Sequence, residues 1–294
     1  MIIAVASRKA SPGVTTLTGL LATYWREADV ARFIVEADPS GGTLAARWSE
    51  AHNLSWNPGL IELSTSRVEH NSLSLATITQ LVAQNVFVAA APPSPGQVIN
   101  ALTVMGDPGA AALAAAPGIR CFVDCGRLTS QSPALPLARR AAVTLLVCRP
   151  DLEEIHGLLA GVVELSSLNC KLGLVLVGDG QWSPQEIAAR AEIDLLGHIP
   201  FEERAARLFK TKGLLAGRGF QRSGLARSVE ELASSLQMFC AETLRPTTTA
   251  PPARNDNLVS PAIQAARRLR PPGLGEAGEQ GGPTPLANAN GASE

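Results

Sequence analysis

Three apolar runs of this sequence end in residues suited to phosphate and a divalent cation. The first, 2–6, gives way to Ser7-Arg8-Lys9-Ala10-Ser11-Pro12-Gly13-Val14-Thr15-Thr16. There, small residues, one glycine and a Thr-Thr pair open a helical pattern. A tight loop before a helix presents free backbone N–H groups and the positive end of the helix dipole, a natural cradle for phosphate. The Thr15 hydroxyl suits a magnesium ion, and Thr16 suits a neighbouring phosphate. The plainer alternative is an ordinary strand-to-helix turn capped by Ser or Thr. The second run reads Phe33-Ile34-Val35-Glu36-Ala37-Asp38-Pro39-Ser40-Gly41-Gly42. Glu36 and Asp38 alternate with apolar residues and so share one side of a strand. Asp38 would face the same crevice as the loop. The third run ends in Asp124-Cys125-Gly126, where a carboxylate could hold a metal-bound water. A lone strand-end aspartate is ordinarily a turn or cap residue. One phosphate loop and two acids, at three strand ends, point instead to a single site for phosphate and a divalent cation.

The elements that must bring these residues together follow from apolar patterning. Near-continuous apolar runs at 2–6, 33–37, 86–90, 119–124, 143–148, 172–177 and 195–198 have the character of parallel strands covered on both faces. Helical patterns at 14–28, 42–52, 72–84, 95–105, 151–168, 184–191 and 202–209 lie between them, and a longer one at 225–243 closes the body. This alternation predicts a doubly wound, mainly parallel α/β sheet with helices on both faces. Ligands of such sheets bind beyond the carboxyl ends of the strands, where the three motifs lie.

Composition narrows the functional classes. The chain has 294 residues, 46% hydrophobic, with a formal charge of −1. That balance argues against a strongly basic nucleic-acid binder. Lys210, Lys212, Arg218, Arg222 and Arg227 leave a local patch for DNA, with a solvated loop as the default reading. Five scattered cysteines without a CxxC pair read as reduced thiols, and the expected setting is cytoplasmic. The first strand is not followed by Gly-x-Gly-x-x-Gly, so a dinucleotide site is not expected. No Gly-x-Ser-x-Gly occurs, and the four histidines show no motif spacing. After Arg245 the composition shifts. Residues 246–294 hold eight Pro and six Gly with no aromatics, too little apolar surface to offset ordering entropy. The expected organisation is a nucleotide-binding body at 1–244 and a disordered tail at 245–294. The weak basic segment 262–270 is no stable membrane anchor.

Taken in order, the motifs resemble those of the MinD/ParA family of P-loop ATPases, over residues 1–244. Lys9-Ala10-Ser11-Pro12-Gly13-Val14-Thr15-Thr16 resembles the family's deviant Walker A loop, Lys-Gly-Gly-x-Gly-Lys-Thr-Thr. Glu36-Ala37-Asp38-Pro39 resembles its second motif, with Asp38 falling 24 residues after the position of the P-loop lysine. Asp124 matches the Walker B aspartate. The stretch 195–204, with Pro200, resembles the strand and proline loop set against the base. There are departures. Val14 replaces the lysine that bridges the β- and γ-phosphates, Arg8 stands where a glycine opens the loop, and Ala10 and Ser11 replace two more glycines. The family's Asn beyond the strand near Val177 is absent, and the turn reads Gly178-Asp179-Gly180.

The resemblance implies ATP and Mg²⁺ as cofactors. Arg8, Lys9, Ala10, Ser11, Pro12, Gly13, Val14, Thr15 and Thr16 would form the nucleotide loop, with Pro200 against the base. Thr15 and, through water, Asp124 would hold the metal. Asp38 would orient or activate the attacking water. Lys9 would reach the other subunit's nucleotide across a nucleotide-dependent homodimer, and Arg8 could fold over the phosphates. The output would be recruitment of a protein partner or cargo in positioning or assembly. Losing one charge-assisted hydrogen bond at Val14 costs about 1.5–3 kcal/mol, or roughly 10- to 100-fold in affinity. Binding at millimolar ATP survives that loss better than hydrolysis does. A slow ATPase is therefore expected, with a non-hydrolysing nucleotide-binding scaffold as the alternative.

Overall fold

A computed structural model describes residues 1–9, 12–66 and 72–243, which belong to one unit, Met1–Arg245. The expected tail at 245–294 lies outside the described residues. The seven apolar runs form strands β1 (Ile2–Ser7), β2 (Ala31–Glu36), β4 (Val86–Ala89), β5 (Ile119–Arg127), β6 (Val143–Cys148), β7 (Leu172–Val177) and β8 (Leu195–Ile199). With β3 (Gln80–Ala83) they make one sheet in the order β3-β4-β2-β5-β1-β6-β7-β8. Every pairing is parallel except β3 with β4. β1 and β6 are buried along their whole length, as strands covered on both faces must be.

Alternation along β1 divides the core. Ile2, Ala4 and Ala6 pack beneath α3 (Leu60–Thr65), α5 (Pro95–Ala115), α6 (Leu135–Arg140), α7 (Leu152–Ser167) and α8 (Pro184–Ala191). Ile3 and Val5 pack beneath α1 (Val14–Tyr24), α2 (Leu44–His52), α9 (Glu203–Lys212), α10 (Gly217–Gln221) and α11 (Gly224–Thr243). The sheet is thus doubly wound, with helices on both faces.

Two stretches depart from the helical patterns expected of them. Residues 72–84 divide into a short helix, α4 (Ser72–Thr77), and β3. Asn85 takes φ 56 and turns the chain back into β4, so that Gln80 faces Val88 in antiparallel register. A left-handed Asn at a hairpin turn overrides local helix propensity. The helix expected to end at 105 continues to Ala115 through a break at Gly106 (φ 51), followed by Pro108. This helix is long and apolar enough to cross a membrane by length and composition. Here it packs on α3 and α6 and buries Val98, Leu102, Met105 and Leu113 in the core.

The turn after β2 is fastened by Glu36. Its side chain is 1% exposed. Its carboxylate accepts the backbone N–H groups of Thr43 (2.6 Å), Leu44 (2.9 Å) and Ala91 (2.9 Å), and the Thr43 hydroxyl at 3.3 Å. Glu36 therefore caps the start of α2, where Thr43 makes no side-chain cap of its own. It also ties that start to the chain leaving β4. Burial pushes its carboxyl up, and the four donors oppose the shift. Gly42 lets the turn close, since a Cβ there would lie 2.0 Å from the Ala91 carbonyl oxygen. Glu36→Ala would strand the buried N–H groups of Leu44 and Ala91 and loosen the part-buried one of Thr43, and is expected to lower unfolding free energy by about 2 kcal/mol or more, read from a urea midpoint at unchanged m-value.

Candidate functional site

β1 feeds the loop that opens α1, and Gly13 makes the entry possible. It takes φ 106, in the left-handed region, at the N-cap, and nothing lies within 4 Å of a Cβ built there. Backbone conformation, not crowding, requires glycine. Gly13 offers no side-chain cap, and α1 has no acid in its first turn. The N–H groups at the start of α1 are thus left for an anion. Pro12 and Gly13 precede Val14, Thr15 and Thr16 in α1 as expected. Ala10 and Ser11 lie outside the described residues.

The parallel register sets the acids beside this loop. Asp124 on β5 pairs with Val5 of β1 on one side and Glu36 of β2 on the other. Its side chain is buried. Oδ1 accepts the Gly126 N–H at 3.0 Å, whereas Oδ2 is buried without a hydrogen-bond partner. Burial raises its pKa to about 7. The Thr15 hydroxyl and the Gly126 N–H favour the ionised form, and nearby Glu36 and Asp38 disfavour it. Asp38 follows two residues after Glu36 and accepts the Ser40 N–H at 2.9 Å. It sits directly over Gly126, where a Cβ would lie 2.2 Å from the Asp38 carboxyl carbon. Gly126 is thus the residue that lets Asp38 approach Asp124.

A cavity of about 530 Å³ adjoins this corner, lined by Gly13, Val14, Thr15, Thr16, Asp38 and Gly126, and also by Arg47, Arg127 and Lys210. A second, more apolar slot of about 180 Å³ shares Gly13 and Thr16 with it and continues to Pro12, Arg149, Val177, Pro200, Phe201 and Leu225. The Arg149 guanidinium lies 4.8 Å over the Phe201 ring, a cation–π contact. Gly178 and Asp179 border the adjoining surface. A polar cavity that opens into an apolar slot suits a phosphate chain with a planar base at its end.

The donors present fit a small hard cation. An unpartnered, buried Asp124 oxygen beside a Thr15 hydroxyl is what a magnesium ion held by hydroxyl, water and phosphate would use. Among the described residues no group of three or more His, Cys, Asp or Glu could hold a metal ion without the ligand.

One expected placement differs. Arg8 does not line the cavity. Its side chain runs along α7 against Gly161, and its guanidinium donates to Glu164 and to the Leu128 carbonyl. The idea that Arg8 folds over the phosphates is corrected by this contact: Glu164, one helix away in space, captures the charge. Lys9 is half exposed and lies 3.3 Å from Glu153, in the first turn of α7, outside the cavity lining. Sequence reasoning missed Arg47, Arg127, Arg149 and Phe201 as site residues. It grouped Lys210 with an unrelated basic loop. Only Phe201 carried a local signal, by following Pro200.

No protein-family model matches the chain, and no curated protein matches its sequence. Solved structures match its fold. A ParA family ATPase from Chlorobium tepidum superposes with TM-score 0.66 at 14% identity, covering 80% of this chain and 98% of that one. The septum site-determining protein MinD from Pyrococcus horikoshii, complexed with Mg-ADP, gives 0.61 at 18% identity over 83% and 99%. A putative plasmid partition protein from Borrelia burgdorferi, bound to AMPPNP, gives 0.61 at 12% over 81% and 98%. The chain has the MinD/ParA-like P-loop NTPase fold.

Asp124 predicts a pH signature in the free protein. Its folded pKa stands above the unfolded value of about 3.9. The folded state therefore keeps a proton that the unfolded state has lost, and stability falls as pH rises from about 4 to 7, then levels. Asp124→Asn lacks this component. The stability of the variant relative to wild type should increase across that window, as measured by thermal unfolding at a series of pH values.

Proposed function

We propose that this protein binds Mg·ATP at the β1–α1 loop and acts as a weak or slow ATPase whose bound nucleotide controls its pairing with a second copy. The observation that carries this reading is the unpartnered Asp124 Oδ2. It is buried beside Thr15 at an uncapped helix N-terminus, with Asp38 over Gly126 in the same corner. A fully buried carboxylate with one empty oxygen is costly unless something occupies it. The structural neighbours solved with Mg-ADP and AMPPNP support the choice of ligand.

In this reading the phosphates rest on the N–H groups at the start of α1, and the base enters the slot at Pro200 and Phe201. Thr15 and, through water, Asp124 hold the magnesium ion, which when bound offsets phosphate charge. Asp38 orients the attacking water and accepts its proton. Lys9, exposed beside α7, is the residue offered to a facing subunit. Bound nucleotide favours the pair by binding it more tightly than the single copy. The output is controlled recruitment of a protein partner or cargo in partitioning, division or another assembly task, in the cytoplasm. A net charge of −1 gives DNA no general attraction.

A second reading keeps binding and drops turnover, making the protein a nucleotide-dependent scaffold. Val14 favours it, because its side chain is 6% exposed and packs into the core where the fold's phosphate lysine would stand. Titration of the full chain with Mg·ATP, together with phosphate release, separates the two. Asp38→Ala is expected to retain binding and lose turnover by about 100-fold or more. Lys9→Ala is expected to abolish nucleotide-dependent dimerisation in light scattering, and unchanged dimerisation would remove the role given to Lys9. Binding without release in the wild type would select the scaffold.

A further inference from the structure

Arg47, Arg127 and Lys210 come from three different elements and line one cavity. Arg47 lies in α2, Lys210 in α9 and Arg127 at the end of β5, three residues past Asp124. Their convergence is built into the packing. Trp48, next to Arg47, meets Phe209, next to Lys210, edge to face at 5.8 Å. The His52 ring contacts the Lys212 carbonyl at 3.1 Å, joining the ends of the same two helices. Gly19 of α1 leaves room for the aromatic pair, since a Cβ there would lie 3.1 Å from Phe209 and 3.3 Å from Trp48.

The three cations are also unspent. Arg8, Arg26, Arg120, Arg140 and Arg207 each pair with an acid. Among the described residues Arg47, Arg127 and Lys210 form no ion pair and no side-chain hydrogen bond. Asp38 is the acid that shares the cavity lining with them. Three like charges facing one space carry a repulsion that an anion relieves. The second independent sign of a ligand is the buried, unpartnered Asp124 Oδ2 next to Thr15. Direction follows from the lining. The apolar slot shares Gly13 and Thr16 with the cavity, and none of the three cations borders the slot. They meet the end of a bound phosphate chain farthest from the base.

We propose that Arg47, Arg127 and Lys210 form a clamp for the terminal phosphates, supplying from α2, β5 and α9 the charge that Val14 removes from the loop. The inference rests on the nucleotide reading of this cavity. It makes the clamp a specificity device: it selects for phosphate number, whereas the slot at Pro200 and Phe201 holds the base.

The test is calorimetric titration of the full chain with Mg·ATP, AMP and inorganic tripolyphosphate, in wild type, Lys210→Gln, Arg47→Gln and the double variant. Lys210 is exposed, so Lys210→Gln keeps the result readable if Arg47→Gln perturbs folding; circular dichroism checks both. The double variant is expected to weaken ATP and tripolyphosphate at least about 10-fold, to change AMP less than about 2-fold, and to flatten the salt dependence of ATP binding. Unchanged ATP affinity in the double variant would overturn the clamp and leave the nucleotide reading intact. Equal losses for ATP and AMP would overturn it as well, by showing a general structural role. Wild type that binds tripolyphosphate through these residues without binding ATP or AMP would support the clamp and sink the nucleotide reading. No binding of any of the three would overturn both.

Discussion

The carboxyl edge of β2 and β5 gathers three acids into one low-dielectric corner, and much of the surrounding backbone exists to tolerate them. Glu36 is satisfied by three backbone N–H groups from two places in the chain. Asp124 is half satisfied by Gly126. Asp38 reaches the corner only because Gly126 has no Cβ. Burial raises the proton affinity of Asp124, and the neighbouring Glu36 and Asp38 add to it. Glu36 has spent its charge on structure. The free capacity lies with Asp124, buried beside the Thr15 hydroxyl, and with Asp38, which lines the cavity.

That division explains how two carboxylates two residues apart on one strand can differ in role. Glu36 faces the turn it closes and fixes the start of α2. Asp38 lies two residues past the strand's end and lines the cavity. Rigid elements carry the site, and the loop between β1 and α1 contributes little more than N–H groups and hydroxyls.

Charge is accordingly distributed by the fold and not by the loop. Arg8, adjacent to the loop in sequence, is drawn onto α7 by Glu164. Arg47 and Lys210, remote from it, are carried to the cavity by aromatic packing between α2 and α9. Chain proximity and electrostatic proximity are unrelated here, because a long side chain goes where an acid or a packing surface holds it.

Apolar periodicity was enough to place seven of the eight strands and most helices, since burial of the interior strands on both faces leaves little choice of residue type. Gly13, Thr15, Asp38 and Asp124 were legible for a related reason: backbone conformation and strand position restrict which residue can stand there. The β3–β4 hairpin was hidden because the left-handed Asn85 outweighs the helical pattern before it. The roles of Glu36, Arg8, Arg47, Arg127 and Lys210 were beyond reach, because each is set by a partner, or the lack of one, on another element. Local pattern determined the sheet and the residues at its carboxyl edge. Only tertiary packing decided which charges are spent on structure and which are left to meet a ligand, since pairing between distant side chains has no period along the chain.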